Sequence, residues 1–235
     1  ARPPVTGSSP VAEEVRARWA QRLSSGEDLD ELDGLSLLAD YGVPVVPSER
    51  VETTEEALAA AERIGFPVAV KTAMRGIQHK SDVDGVKLGL ADGAAVEAAY
   101  ADLAGRLGPR VAVAAMVPAG IELHLGIVRD LQFGPLVLVA AGGVLVEVLR
   151  DRRLALPPLD EERARALVDG LRVRPLLDGV RGALPSDVGA LGEAIVGLSW
   201  LAHDLGEHLE ALDANPVVCG PDGCVAADAL VIPRS

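Results

Sequence analysis

Between Leu209 and Ile232 (LEALDANPVVCGPDGCVAADALVI) apolar and polar positions alternate on both sides of Gly220-Pro221-Asp222-Gly223. A period of two predicts paired strands, and the Pro-Gly segment predicts the turn of a β-hairpin. Asp213 and Asn215 are two apart on the first strand, so they face the same way. A two-residue turn sets Asn215 opposite Asp228 and Cys219 opposite Cys224. A bulged three-residue loop shifts the pairing by one and turns Asp228 away, so spacing alone leaves the register open.

Upstream, residues 1–10 (ARPPVTGSSP) read as a flexible leader. Ser9-Pro10 starts a helix through VAEEVRARWAQRL, which Ser24-Ser25-Gly26 stops. A second helix is expected from Asp28 to Tyr41, ending at Gly42, and Val43-Pro44-Val45-Val46 is extended. Thr53 caps a third helix, with Glu56 completing a capping box, and the helix runs to Gly65. A strand over Pro67–Lys71 leads into a polar, glycine-bearing loop, Thr72 to Gly85. Val86–Leu90 (strand), Ala94–Leu107 (helix) and Val111–Val117 (strand) complete an α+β unit with helices on one face of a small sheet.

The following block is mostly strand (IELHLGIVRD, FGPLVLVAAGG, VLVEVLR). After it come a helix over 160–170, a longer one over Leu191–Leu209 with Ser186-Asp187 at its head, and the hairpin. The pattern predicts two α+β lobes and no internal repeat.

Composition narrows the function. The chain has 235 residues, 49% of them apolar, which suits a sizeable core and argues against disorder. No run approaches the length of a membrane span and no secretory pattern is present, so no membrane partner and a cytoplasmic location are expected. No Met begins the chain, which reads as an excised domain or a processed chain. A net charge of -13 disfavours a nucleic-acid backbone as partner, yet leaves room for a nucleotide in a local positive pocket. Only 3% of residues are aromatic, which disfavours a base-stacking platform. The two Cys either bridge across the hairpin or remain thiols, as a cytoplasmic chain keeps them.

Several residues carry candidate chemistry. Oxygen ligands on rigid strands, such as Asp213, Asn215 and Asp228, suit Mg²⁺ if phosphates supply the remaining ligands; otherwise they are the wet face of a hairpin. Lys71 ends an apolar strand, as a point charge for phosphate or a solvated side chain. The loop places His79, Lys80, Ser81 and Asp82 in succession, and an exposed imidazole beside a cation can accept a phosphoryl group on nitrogen. His124, His203 and His208 are blander: the first lies in an alternating strand, the others near a helix end. Glu122 follows Pro118-Ala119-Gly120, where a carboxylate past a hinge can meet ribose hydroxyls. Glu147 is the one acid inside an apolar run. Arg129-Asp130 reads as a local ion pair, and Arg181 faces phosphate or is a loop charge.

Together the segments GFPVAVK (65–71), HKSDVDGV (79–86), MVPAGIELHLGIVRDLQFGP (116–135), GGVLVEVLRD (142–151), LLDGVRG (176–182) and LDANP (212–216) resemble the ATP-grasp domain of the NDP-forming acyl-CoA synthetases, the superfamily that includes the succinyl-CoA synthetase β subunit. The resemblance runs from about Leu29 to Ile232. It implies an α+β, ATP-grasp fold, with ATP between two lobes. The expected boundaries are a leader or linker at 1–27, one lobe from 28–45 and 117–235, and the other from 46–116.

It also implies roles. Lys71 looks like the phosphate-contacting lysine, Met116 and Val117 like the adenine hinge, and Glu122 like the ribose acid. Arg181 is a further cofactor-binding candidate. Asn215 and Asp228 look like Mg²⁺ ligands with Asp213 in support, and His79 falls on the histidine that relays phosphate.

The chain departs from the family pattern at Ala73-Met74-Arg75, Asp84-Gly85-Val86, Ala114, Ala140-Ala141-Gly142-Gly143 and Ala211. The implied reaction joins a carboxylic acid to CoA with ATP, giving acyl-CoA, ADP and phosphate through phosphohistidine. This sequence supplies the nucleotide end and implies a CoA-binding partner subunit or domain. Two other readings stay open: a carboxylate–amine ligase, and a degenerate module with a regulatory or structural role.

Overall fold

The computed structural model describes residues 8–27, 29–74, 76–77, 80–143, 151–180 and 182–234. The chain divides into two compact units: one takes in Ala1–Glu27, Gly34–Val45 and Pro118–Ser235, the other Asp28–Asp33 and Val46–Val117. Helix α1 (Glu13–Ser24), in the stretch read from sequence as a leader, belongs to the larger unit and buries Trp19 and Leu23. Helix α2 (Glu31–Asp40) follows, and the partition falls within it, after Asp33.

The smaller unit is built on a four-stranded antiparallel sheet of β1 (Ser48–Val51), β2 (Val68–Thr72), β3 (Val86–Leu90) and β4 (Val111–Ala115), in the order β1-β4-β2-β3. Helices α3 (Thr54–Ile64) and α4 (Gly93–Leu107) cover one face. Their Ala57, Ala60, Ala61, Val96, Ala99 and Leu103 pack on Val51, Val68, Val70, Val111 and Val113.

The cap at Thr53 is the one the sequence predicts. The Glu56 N–H donates to Thr53 Oγ1 at 3.1 Å, while the Glu56 carboxylate reaches back one residue further, to the Glu52 N–H at 2.8 Å. Asp92 caps α4 through the Ala95 N–H; each such cap contributes about 1 kcal/mol. Alternation puts Ala69, Lys71, Ala112 and Ala114 on the face opposite the helices, with Lys71 paired to Ala112 and Ala69 to Ala114. Small side chains therefore flank Lys71 on that face, with Arg50 beyond Ala112 on the neighbouring strand.

The larger unit holds an antiparallel sheet of β5 (Ile121–Asp130), β6 (Gly134–Ala141), β7 (Arg152–Ala155), β8 (Leu209–Gly220), β9 (Gly223–Ala226) and β10 (Ala229–Pro233). Its order is β10-β8-β5-β6-β7, with β9 also paired to β8. Helices α5 (Glu161–Asp169), α6 (Arg174–Leu177) and α7 (Val188–Leu205) complete it. α7 is capped by Asp187 through the Ala190 N–H at 2.9 Å, as expected, and buries Leu191, Ile195, Leu198 and Leu201. The strands bury Leu123, Leu125, Ile127, Val137, Val139 and Leu212.

Three elements escaped the sequence pattern: β1, β7 and α6. β1 (Ser-Glu-Arg-Val) and β7 (Arg-Arg-Leu-Ala) are short edge strands rich in charge, which is how sheets blunt their edges and why they lack an apolar period. Among the described residues no helix is long and apolar enough to cross a membrane.

Candidate functional site

In the smaller unit the loop after β2 is tied back at its far end. The Thr72 N–H donates to the Gly85 carbonyl, and the Gly85 N–H to the Lys80 carbonyl, each at 2.8 Å. A Cβ on Gly85 would lie 2.8 Å from Thr72 Cγ2 and 2.9 Å from the Lys80 oxygen, so only glycine fits. This closure, with a 3-10 turn over Lys80–Val83, sets Lys80 close to the end of β2.

Lys71 is not a solvated strand-end charge. The residue is 8% exposed, and its Nζ donates to Glu31 Oε1 at 2.8 Å. Lys80 Nζ lies 2.8 Å from the other carboxylate oxygen, Oε2. One carboxylate thus bridges two ammonium groups, as burial requires when charge leaves water.

Glu31 was missed by sequence reasoning. It lies 40 residues from Lys71 in the first turn of α2, where an acid is already explained by the helix dipole. Its neighbours Asp30 and Asp33 pair with Arg50 at 2.5 and 3.3 Å, so the start of α2 is fixed by charge on two sides.

Met116 follows β4 in the same unit, and its Sδ accepts the Gly89 N–H at 3.3 Å. The change of unit comes just after Val117. His79 and Arg181, and with them Glu147, lie outside the described residues.

In the larger unit Glu122 sits on β5 opposite Val218, with its side chain exposed. The Gly142 N–H donates to the Glu122 carbonyl at 2.9 Å. A Cβ on Gly142 would come within 2.7 Å of the β5 backbone, and Gly143, at φ 59°, packs against the Glu122 carboxylate. The departures Ala140 and Ala141 fall inside β6, paired with His124 and Leu123, so the close approach to Glu122 is made by the two glycines that remain.

The β8–β9 turn has two residues: Gly220 pairs with Gly223, and Cys219 with Cys224. The expected second arm is broken into β9 and β10, which share one register on β8. On one side of the break Val217 pairs with Ala226, and on the other Ala214 pairs with Ala229. Continued across the break, that register sets Asn215 opposite Asp228. Leu212 and Ala214 turn into the core, Asp213 is half-buried and Asn215 exposed.

On the other edge of β8 the pairing with β5 shifts between Leu123 and Leu125, a bulge that re-aims side chains beside Asn215. His124 lies at that shift, and its Nε2 is 2.9 Å from Asp213 Oδ1. Nothing in the chain singles it out, because an alternating strand explains any polar residue at that position.

Asn215, Asp213 and Asp228 are hard oxygen donors that suit Mg²⁺. Among the described residues no group of three His, Cys, Asp or Glu could hold a metal by itself, so phosphate oxygens would have to complete the coordination. The two cysteines are free thiols. Their Sγ–H groups donate to the Asp187 and Ala190 carbonyls at the head of α7. Burial pushes Cys219 up to about 11 and Cys224 up to about 12.

The sequence profile of the ATP-grasp domain matches residues 21–232. The chain belongs to the ATP-grasp domain family. Similar proteins include the β subunit of acetate–CoA ligase [ADP-forming] I from Pyrococcus furiosus, 33% identical over 217 residues, covering 87% of this chain and 91% of that one. Acetate–CoA ligase [ADP-forming] I of Archaeoglobus fulgidus is 36% identical over 214 residues, 88% of this chain. This ATP-grasp chain spans 31% of the length of that relative.

A solved structure of Ca. Korarchaeum cryptofilum dinucleotide forming acetyl-coenzyme A synthetase 1, with coenzyme A and Mg-AMPPCP, superposes with a TM-score of 0.83. It has 33% identity and covers 94% of this chain and 100% of that one. The α+β ATP-grasp fold with two lobes is therefore that of this chain.

Proposed function

We propose that this chain is the nucleotide-binding, phosphoryl-transferring part of an ADP-forming acyl-CoA ligase and works with a CoA-binding subunit or domain. The observation that carries the reading is its likeness, over 87% of its length, to a separate β subunit of such a ligase. In support, the similar Korarchaeum structure is described with Mg-AMPPCP and a phosphohistidine segment pointing towards its nucleotide binding site.

Each unit contributes its own groups. From the smaller, the Lys71 ammonium offsets charge on the phosphates, and Met116 and Val117 offer backbone groups to the base. From the larger, Glu122 accepts from ribose hydroxyls and Arg181 supplies a further cation. Asn215 and Asp228, supported by Asp213, would hold Mg²⁺, which when bound supplies charge neutralisation on phosphate oxygens. His79 is the acceptor: a ring nitrogen forms the N–P bond as the bond from the γ-phosphorus to the β,γ-bridging oxygen breaks, and ADP leaves. The phosphoryl group then passes to the carboxylate of the acid on the partner, and CoA displaces it as phosphate.

Calorimetry with Mg-ATP is the first test. Saturable binding supports the reading; none up to about 1 mM, roughly -4 kcal/mol, leaves the regulatory or structural module. γ-Labelled phosphate retained on the chain and lost with His79→Ala supports the phosphohistidine route. Binding without retention on the protein favours the carboxylate–amine ligase.

A further inference from the structure

On β5, Leu123, Leu125 and Ile127 are buried, so Glu122, His124 and Gly126 take the opposite face. Gly126 pairs directly with Asp213 on β8, and His124 therefore stands diagonal to that acid, within reach of a long side chain. Its ring crosses the diagonal and brings Nε2 to 2.9 Å from Asp213 Oδ1. An ionised carboxylate only accepts, so Nε2 carries the proton and donates.

Gly126 opens that path. A Cβ there would lie 3.2 Å from Asp213 Oδ1 and 3.4 Å from His124 Nε2, as well as 2.9 Å from the Leu212 carbonyl oxygen. The hydrogen bond thus runs past the place that a side chain would fill. On the other side His124 pairs with Ala140, whose small side chain crowds the ring little.

The two side chains are unevenly covered, with exposures of 20% for His124 and 43% for Asp213. The sheet holds the imidazole, while the carboxylate stays accessible. Asp213 also lies two residues before Asn215, beside the register shift between Leu123 and Leu125, where the ladder does less to fix side-chain direction. A donor at Oδ1 selects one orientation there and leaves Oδ2 able to meet a cation or a water bound to one.

We propose that His124 is a positioning residue: by donating to Oδ1 it holds the Asp213 carboxylate in the orientation that supports Mg²⁺ at Asn215 and Asp228. This rests on the metal-binding reading above. His124 touches neither nucleotide nor metal in this scheme; it acts through Asp213.

The test is a double-mutant cycle on the 235-residue chain, reading Mg-ATP affinity by calorimetry and folding by thermal melts. His124→Leu should weaken Mg-ATP about fivefold. His124→Gln, whose amide nitrogen can donate from about the place of Nε2, should recover most of that loss. Asp213→Ala should weaken Mg-ATP at least as much. In that background His124→Leu should change the affinity by less than about twofold, because the group it positions is gone.

His124→Leu with wild-type affinity overturns the proposal, whatever it does to the melting temperature. So does tighter binding, since His124 would then compete with the metal for Asp213. A loss that His124→Gln does not repair, or that persists undiminished beside Asp213→Ala, overturns it as well, because the ring would then act other than through the carboxylate. If the wild-type chain fails to bind Mg-ATP, the nucleotide reading falls and this inference falls with it. Wild-type binding that Asn215→Ala with Asp228→Ala weakens, with His124→Leu silent, refutes only the present inference.

Discussion

The two units handle charge in opposite ways. In the smaller, the Lys71 ammonium is almost buried and held by a carboxylate from a distant helix. In the larger, the polar side chains of β8 are more accessible: Asp213, half-buried, meets His124, and Asn215 is exposed. A lysine near small side chains loses hydration and must be compensated inside the protein, whereas the carboxylate and amide oxygens proposed here to meet a hydrated cation have to stay reachable. Breaking the first arrangement should therefore damage the fold as well as the site. Breaking the second should damage the site alone.

The sharpest break is Glu31→Gln. It leaves two buried ammoniums with an amide in place of a charge, a change of about 3–5 kcal/mol, so a melting temperature lower by roughly 10 °C is expected in thermal unfolding. A melt indistinguishable from wild type would mean that the carboxylate is better solvated than its 2% side-chain exposure implies.

Next, Asn215→Ala combined with Asp228→Ala should weaken Mg-ATP about 100-fold with little change in melting temperature. A large loss of stability there would erase the contrast between the units. His124→Leu should cost less, about 1 kcal/mol of stability or a few-fold in Mg-ATP affinity, because its partner Asp213 is half exposed.

The smallest effect concerns pH. The buried thiols ionise at about 11 and about 12, against 9 for a free one, so the unfolded chain sheds those protons first. Their contribution to stability is intact below pH 9 and is lost as pH rises towards 11 and 12. Tyr41, raised by burial and by Asp204, acts in the same direction. Denaturant midpoints measured across pH 8 to about 10.5 should decline, and more shallowly in Cys219→Ala/Cys224→Ala.

Much of the architecture was legible in the chain. The alternation around Gly220-Pro221-Asp222-Gly223 specified the hairpin, and the structure selected the two-residue turn over the bulged loop. Thr53, Gly65 and Asp187 marked helix ends that the structure keeps. The break between β9 and β10 was not visible, because Ala226-Ala227-Asp228-Ala229 carries no turn signal. Glu31 and His124 escaped for a similar reason: each has a sufficient local explanation, one as a helix-dipole acid and the other as a strand polar residue.

By itself the sequence determined what repeats locally: strand periods, caps, turn glycines, and the ordered blocks that mark an ATP-grasp chain. Only the tertiary structure decided who compensates Lys71, where the register of β8 shifts, and that His124 meets Asp213. Local preference is written in neighbours along the chain. The partner of a buried charge is whichever group folding brings within about 3 Å, and residues 40 apart leave no trace of that meeting in either segment.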